Sequence, residues 1–273
     1  MPSLTNKTLF ITGASRGIGK AIALRAARDG ANVVVAAKTV DPHYKLPGTI
    51  HEAAREIEGV GGRALAVQVD IRSEEQVRAA VEAAVRRFGG IDILVNNASA
   101  ISLTGTLETS AKKFDLMMDV NARGTFVCSQ ACLPHLFTAS NPHILTLGPP
   151  PDTAPRWFAP HGAYTLAKMG MSLLSLGMAE EFRSRGVAVN CLWPRTLIAT
   201  AALGVINIGS ASEARKPEIM ADAAHAILCC DCRTITGQFF IDEDVLRAAG
   251  VESFDAYAMT PGVTPKPDIF LPD

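Results

Sequence analysis

At 273 residues the chain has room for one large α/β domain or two small ones, and its 48% hydrophobic, 6% aromatic composition suits a core filled by Ala, Val, Ile and Leu. A formal net charge of -1 gives nucleic acid or an anionic membrane no electrostatic hold on it. The N-terminus MPSLTNKTLF lacks the basic flank and long apolar run of a signal peptide, and no 18-residue apolar stretch occurs, so a soluble, cytoplasmic protein is expected.

The first predicted strand, residues 8–11, runs directly into TGASRGIGKAIAL. Gly13, Gly17 and Gly19 sit at this strand-to-helix turn. Glycine there permits positive φ and lets the backbone approach a pyrophosphate resting on the positive end of the helix. A glycine trio alone is weak evidence; between a strand and an Ala-rich helix it marks a dinucleotide site. The second strand, 32–37, is followed by Lys38, with no acid until Asp41. An NAD site usually has an acid about 20 residues beyond the glycines, to bind the ribose 2′-hydroxyl. Lys38 and Arg16, the latter inside the glycine loop, suit a 2′-phosphate instead, so NADP(H) is the expected cofactor and NAD the alternative. The plainer reading of Lys38 is a solvated strand-end charge.

After an irregular stretch, 39–48, Thr49-x-x-Glu52 and Ser73-x-x-Gln76 read as capping boxes on helices either side of a strand at 64–69. A strand at 91–96 precedes a helix that Ser110 can cap, running through Phe114, Met117 and Met118. Further strands are predicted at 143–147, 187–192 and 238–241, with irregular segments at 148–160, 194–216 and after Asp242. The strands lack polar alternation, as parallel strands covered on both faces do. The pattern predicts an α/β fold: a single-domain Rossmann-type doubly wound sheet of about seven parallel strands flanked by helices. Residues 1–245 would form that domain, and 246–273 a C-terminal tail packing on it. Six cysteines in so long a chain make no disulfide framework, and Cys229, Cys230 and Cys232 lack zinc-ligand spacing. They read as thiols at a helix end, and no metal is expected.

Tyr164 and Lys168 stand one helical turn apart on one face. A free phenol titrates near pH ~10, and lowering it by two to three units takes about 3–4 kcal/mol of anion stabilisation. An ammonium on the same face can supply much of that. The competing reading is a packing tyrosine beside a chance lysine.

Together, TGASRGIG, Asp70, NNAS at 96–99, Asn121 and Tyr164-x-x-x-Lys168 resemble the short-chain dehydrogenase/reductase family over residues 5 to about 245. The runs VVVAAKT, GGIDILVNNASAISLT, YTLAKMGMSLLSLGMAEEF and LWPRT look closest to its hydroxysteroid-dehydrogenase-like group. The resemblance implies hydride transfer between NADP(H) and an apolar carbonyl or alcohol. It implies catalytic roles for Tyr164, Lys168 and Asn121, with Lys168 also bonding the nicotinamide ribose and Asn121 holding a water in the proton relay. It implies a cofactor held by Gly13, Ser15, Arg16, Gly17, Ile18, Gly19, Lys38, Asp70, Ile71 and Asn97, with Tyr164 and Lys168. Animal members of the group continue into a sterol-carrier domain and a peroxisomal signal. This sequence stops at Leu271-Pro272-Asp273, so neither lipid transfer nor a peroxisomal address is carried over.

The family pattern is broken in two places. Its serine after strand five, which hydrogen-bonds the substrate carbonyl, falls on Pro149 or Pro151 by the two ways of counting, and proline has neither hydroxyl nor N–H. Losing one such donor typically costs about 10²–10³ in turnover. Thr146 and Thr153 are the nearby hydroxyls, Thr153 being the better substitute if the proline loop folds over the pocket. Pro194-Arg195-Thr196 replaces the usual Pro-Gly, so Arg195 either faces water or sets a cation near an acidic or thioester substrate. Trp157 and Phe158 read as pocket lining or loop anchors, and His161 as a pocket wall or cap before a second base. A catalytically weakened dinucleotide sensor is the alternative function. An epimerase or dehydratase is disfavoured by the glycine spacing. Helices at 121–137 and 162–182 are apolar over more than one face, so a homodimer or homotetramer is expected.

Overall fold

The computed structural model describes residues 3–42, 47–206 and 208–271. Among them, seven strands form one parallel sheet: β1 (Thr8–Thr12), β2 (Asn32–Ala37), β3 (Arg63–Gln68), β4 (Ile93–Asn96), β5 (His143–Thr146), β6 (Ala188–Trp193) and β7 (Phe239–Ile241). Their order is β3-β2-β1-β4-β5-β6-β7. The chain therefore reverses its winding between β1 and β4, and a crevice opens outside the carboxyl ends of the strands there. The helices are α1 (Gly17–Ala27), α2 (Ile50–Gly59), α3 (Glu74–Phe88), α4 (Ala111–Met117), α5 (Gly124–Leu136), α6 (Pro155–Phe158), α7 (Gly162–Glu181), α8 (Leu203–Ile206), α9 (Glu218–Leu228) and α10 (Asp242–Ala248). None is long and apolar enough to cross a membrane.

The fold agrees with the predicted class, and each predicted strand lies within two residues of an observed one. Strand alternation divides the core into two layers. Leu9 and Ile11 of β1 and Val33 and Val35 of β2 pack with α1, α2 and α9. Phe10 and Val34 point the other way, into the layer made by α3, α5 and α7. Each fully buried side chain of this kind contributes about 1.5–3 kcal/mol.

Three expectations are corrected. β3 and β7 are only half-buried, because they are the two sheet edges and have no neighbour beyond them. Ser73 caps α3 by accepting from the Gln76 N–H, but the Gln76 side chain accepts from the Asp70 N–H, so the reciprocal half of the box is absent; Thr49 and Glu52 do form a complete one. The segments expected to be irregular are partly helical: 148–160 contains α6, 194–216 contains α8, and the stretch from Asp242 begins as α10, whose positive end three acids stabilise.

Candidate active site

β1 ends in a loop that bends sharply at Gly13 (φ +68°) and Gly17 (φ +56°) before entering α1. A Cβ on Gly13 would lie 2.9 Å from Asn97 Nδ2, and one on Gly17 would lie 3.3 Å from Thr200 Cγ2. Asn97, just past β4, fixes the two strand ends together by donating from Nδ2 to the Thr12 carbonyl at 2.8 Å. The result is a cleft of about 500 Å³ lined by Gly13, Ser15, Arg16, Gly17, Ile18, Lys38, Asp70, Ile71 and Asn97, among others. Gly19 does not line it. A Cβ there would lie 2.4 Å from Asn97 Nδ2, so this glycine serves helix-to-strand packing.

The cleft suits an anion. Arg16 occupies the N-cap of α1 with no side-chain cap bond, and the first turn of the helix carries no acid. Arg16 Nη2 donates to the Gly48 carbonyl, while its buried Nε has no partner among the described residues. Asp70 is held below its ordinary pKa, chiefly by hydrogen bonds from Arg72. Lys38 lies 3.9 Å from Asp70, with its side chain 58% exposed. Arg72 thus satisfies most of the acid, leaving the charges of Arg16 and Lys38 available to phosphate groups.

A second cavity, of about 190 Å³, adjoins the first and shares Ile18, Asn97, Ser99, Ile101, Thr200 and Ala202 with it. Tyr164 and Lys168 of α7 line this inner space with Leu147, Trp193, Leu197, Ile198, Asp268 and Ile269. Tyr164 is 5% exposed and Lys168 2%. Lys168 Nζ donates to the Leu147 carbonyl and sits 5.0 Å from the centre of the Trp193 ring. Burial pulls this ammonium down to about 8.

The short chain dehydrogenase family profile matches residues 7–208. The chain belongs to this short chain dehydrogenase family. It is 60% identical over 270 residues to hydroxysteroid dehydrogenase-like protein 2 of Danio rerio, a match covering 98% of this chain and 64% of that protein. The chain thus spans about 64% of the length of that curated relative. A crystallised protein from Xanthomonas campestris superposes with a TM-score of 0.98 at 61% identity, covering 99% of this chain and all of the other. A short chain dehydrogenase from Mycobacterium thermoresistibile gives 0.94 at 49% identity, covering 99% and 97%.

Within this family frame several residue-level expectations change. At the Tyr164 phenol burial prevails over the neighbouring ammonium. Burial pushes the phenol above its ordinary value and the Asp268 charge adds to the rise, while the ammonium faces Leu147 and Trp193. The Asn121 side chain accepts from the Ala100 N–H at 2.7 Å and donates to the Ala100 carbonyl at 3.0 Å. Each end of that amide thus holds one backbone group of Ala100, and the residue lies in the π-helical turn Met118–Arg123. Thr146 accepts from Ser175 and is fully buried. Thr153 is exposed and lines neither cavity, so the proline loop does not bring it over the pocket. Arg195 turns away, bonding Asp244 at 2.6 Å on α10, so it offers no cation to a substrate. His161 shares a hydrogen bond with Thr165 and stands edge-on to Tyr164; it lines neither of the two cavities, and as N-cap residue of α7 it makes no side-chain cap bond. Trp157 packs on Phe270 and Phe158 joins the same cluster, and neither lines the two cavities, so both act as loop anchors rather than pocket lining.

The course of the C-terminal tail as a strap along the site is the part that sequence reasoning missed. Thr196 and Pro267 form an antiparallel bridge, the Leu197 N–H donates to the Lys266 carbonyl, and Trp193 Nε1 donates to the Ile269 carbonyl. Asp268 is thereby carried to the wall of the inner cavity, and burial pushes its carboxyl up to about 7. The available signal was the apolar triplet Ile269-Phe270-Leu271 after a proline-rich polar run, which asks to be buried.

Proposed function

We propose that the protein is an NADP(H)-dependent oxidoreductase that interconverts a carbonyl and an alcohol on a small, apolar substrate, with Tyr164 as proton donor and acceptor. One observation carries this reading: a buried tyrosine and lysine, one turn apart, line a cavity that adjoins a glycine-lined, anion-suited cleft and shares six lining residues with it.

When bound, the dinucleotide would supply or accept the hydride. Gly13, Ser15, Gly17 and Ile18 would hold its pyrophosphate, Arg16 and Lys38 its 2′-phosphate, and Asp70, Ile71 and Asn97 its adenosine and ribose ends. Lys168 would hold the nicotinamide ribose. Tyr164, kept neutral by burial, is suited to protonating a nascent alkoxide, which favours the reductive direction. Trp193, Ile269 and Phe270 exclude water, so that proton is not lost to solvent. The cytoplasm is proposed as its compartment on sequence features alone.

The test is single-turnover hydride transfer from NADPH to a panel of apolar ketones and aldehydes. Tyr164→Phe should abolish turnover with NADPH affinity nearly intact, because the phenol acts in the transition state. NADPH binding without any hydride transfer would favour the alternative, a dinucleotide sensor, to which the prolines in place of the serine already point.

A further inference from the structure

We propose that Asp268 holds the substrate's reacting oxygen, its carboxylic acid O–H standing in for the serine hydroxyl that this chain lacks. The inference rests on the carbonyl/alcohol reading of the site and names a residue for it.

Asp268 lines the same small cavity as Tyr164 and Lys168. Its Oδ1 accepts from the Ile269 N–H at 2.7 Å, and Oδ2 has no hydrogen-bond partner among the described residues. One oxygen is fixed and the other is left for a ligand. The loop that should carry a serine has nothing to offer, since Ser172 donates to the Pro149 carbonyl and Thr146 is held by Ser175. The strap is also built to stay in place. The Asp268 N–H donates to the Arg195 carbonyl at 3.0 Å, and Phe270 is fully buried with φ +69°. A bulky residue in the left-handed region is strained, and such strain persists where surrounding contacts over-determine it, as four ring contacts do here.

The charges around the carboxyl decide its form. Lys168 and Tyr164 face it from α7 and Asp242 from the start of α10, while Arg195 and Arg215 are drawn off to acids of α10. Burial and Asp242 favour the neutral acid; the Ile269 N–H and Lys168 oppose them, and the balance leaves the carboxyl at about 7, where a large share of it carries its proton at neutral pH. A neutral carboxyl can donate, as a serine does. In the reductive direction the carbonyl oxygen would accept from Asp268 throughout, the Tyr164 proton would pass to that oxygen, and Asp268 would keep its own.

The experiment compares the unaltered protein, Asp268→Asn and Asp268→Ala, each with NADPH. Hexanamide, an unreactive carbonyl, is the probe, and its affinity is read by calorimetry. Asn keeps a donor of similar shape, so its affinity should stay within about threefold, whereas Ala should bind at least about tenfold more weakly. Carbon-detected NMR of labelled protein should show one carboxyl titrating near 7, absent from Asp268→Asn and shifted by the amide. Equal amide affinity in Asp268→Ala, no amide binding by any of the three, or no such carboxyl would overturn the proposal. NADPH affinity in the same samples keeps the two readings apart. Its loss from the unaltered protein sinks the oxidoreductase reading, while its persistence beside an Asp268-independent amide site sinks only this one.

Discussion

Phe270 lies over Tyr164, their ring centroids 6.0 Å apart and their planes 29° from parallel. The same ring meets Trp157, His161 and Trp193 at 5.8 Å each. The C-terminal strap thus covers the residue proposed to move the proton, and this aromatic wedge adds to the burial that raises the Tyr164 and Asp268 pKa values.

Phe270→Ala should therefore destabilise the protein by about 3–5 kcal/mol, the usual cost of emptying a packed aromatic site. Alanine gains nothing from the positive φ, which strains any residue with a Cβ. Urea unfolding is the measurement. A loss under about 1 kcal/mol would mean that the strap does not lean on its aromatic contacts.

Cofactor choice is tested at Lys38. Its ammonium is largely exposed and its contact with Asp70 is long, so it is available to a 2′-phosphate. Lys38→Asp should weaken NADPH by about tenfold or more and leave NADH similar or tighter, with the overall fold unchanged. Fluorescence titration of both cofactors checks this. Equal affinity of the unaltered protein for the two would remove the basis for a 2′-phosphate site.

Most of the frame was legible because it rests on local signals. Apolar runs of strand length, glycines at the first turn and acids or serines at helix starts mark the sheet and the nucleotide cleft without long-range information. What could not be read depends on distant residues meeting. Nothing near Arg195 in sequence says that its partner is Asp244, and nothing near Tyr164 says that Asp268 and Phe270 close over it. The direction of the phenol shift was lost for the same reason. Spacing put an ammonium on the right face, but only tertiary packing decides that it bonds Leu147 and that burial prevails.

Asp268 also gives stability a pH signature. Its folded pKa, about 7, lies above the ordinary carboxyl value of 3.8. A group raised in this way contributes stability that is present below the unfolded value and is lost as pH climbs through the folded one. Asp242, raised to about 6 by burial, acts in the same sense. Asp268→Asn removes one of these losses, so its gain in melting temperature should be larger at about pH 8 than at about pH 5. A gain that is the same at both values, or larger in acid, would contradict a raised carboxyl.

The last prediction concerns the outer face of the two helices that back the site. Leu166, Leu173 and Leu176 on α7 are 46%, 57% and 44% exposed, and Phe126 on α5 is 46% exposed. Their spacing along α7, seven and then three residues, keeps the three leucines on one stripe. The inner stripe of the same helix carries Tyr164, Lys168 and Met171, all buried. A helix that is apolar on its second face needs a second cover, and an apolar patch of this kind on a soluble chain marks an interface. A second copy bringing the same two helices would bury both patches at once, as a two-fold interface does. The protein is therefore proposed to be a dimer or tetramer, and Leu173→Lys with Leu176→Lys should shift it towards monomer while the fold persists, because both side chains already point outward. Light scattering at micromolar concentration reads the outcome. A monomeric unaltered protein, or a double variant that assembles as before, would show that this face is not the interface.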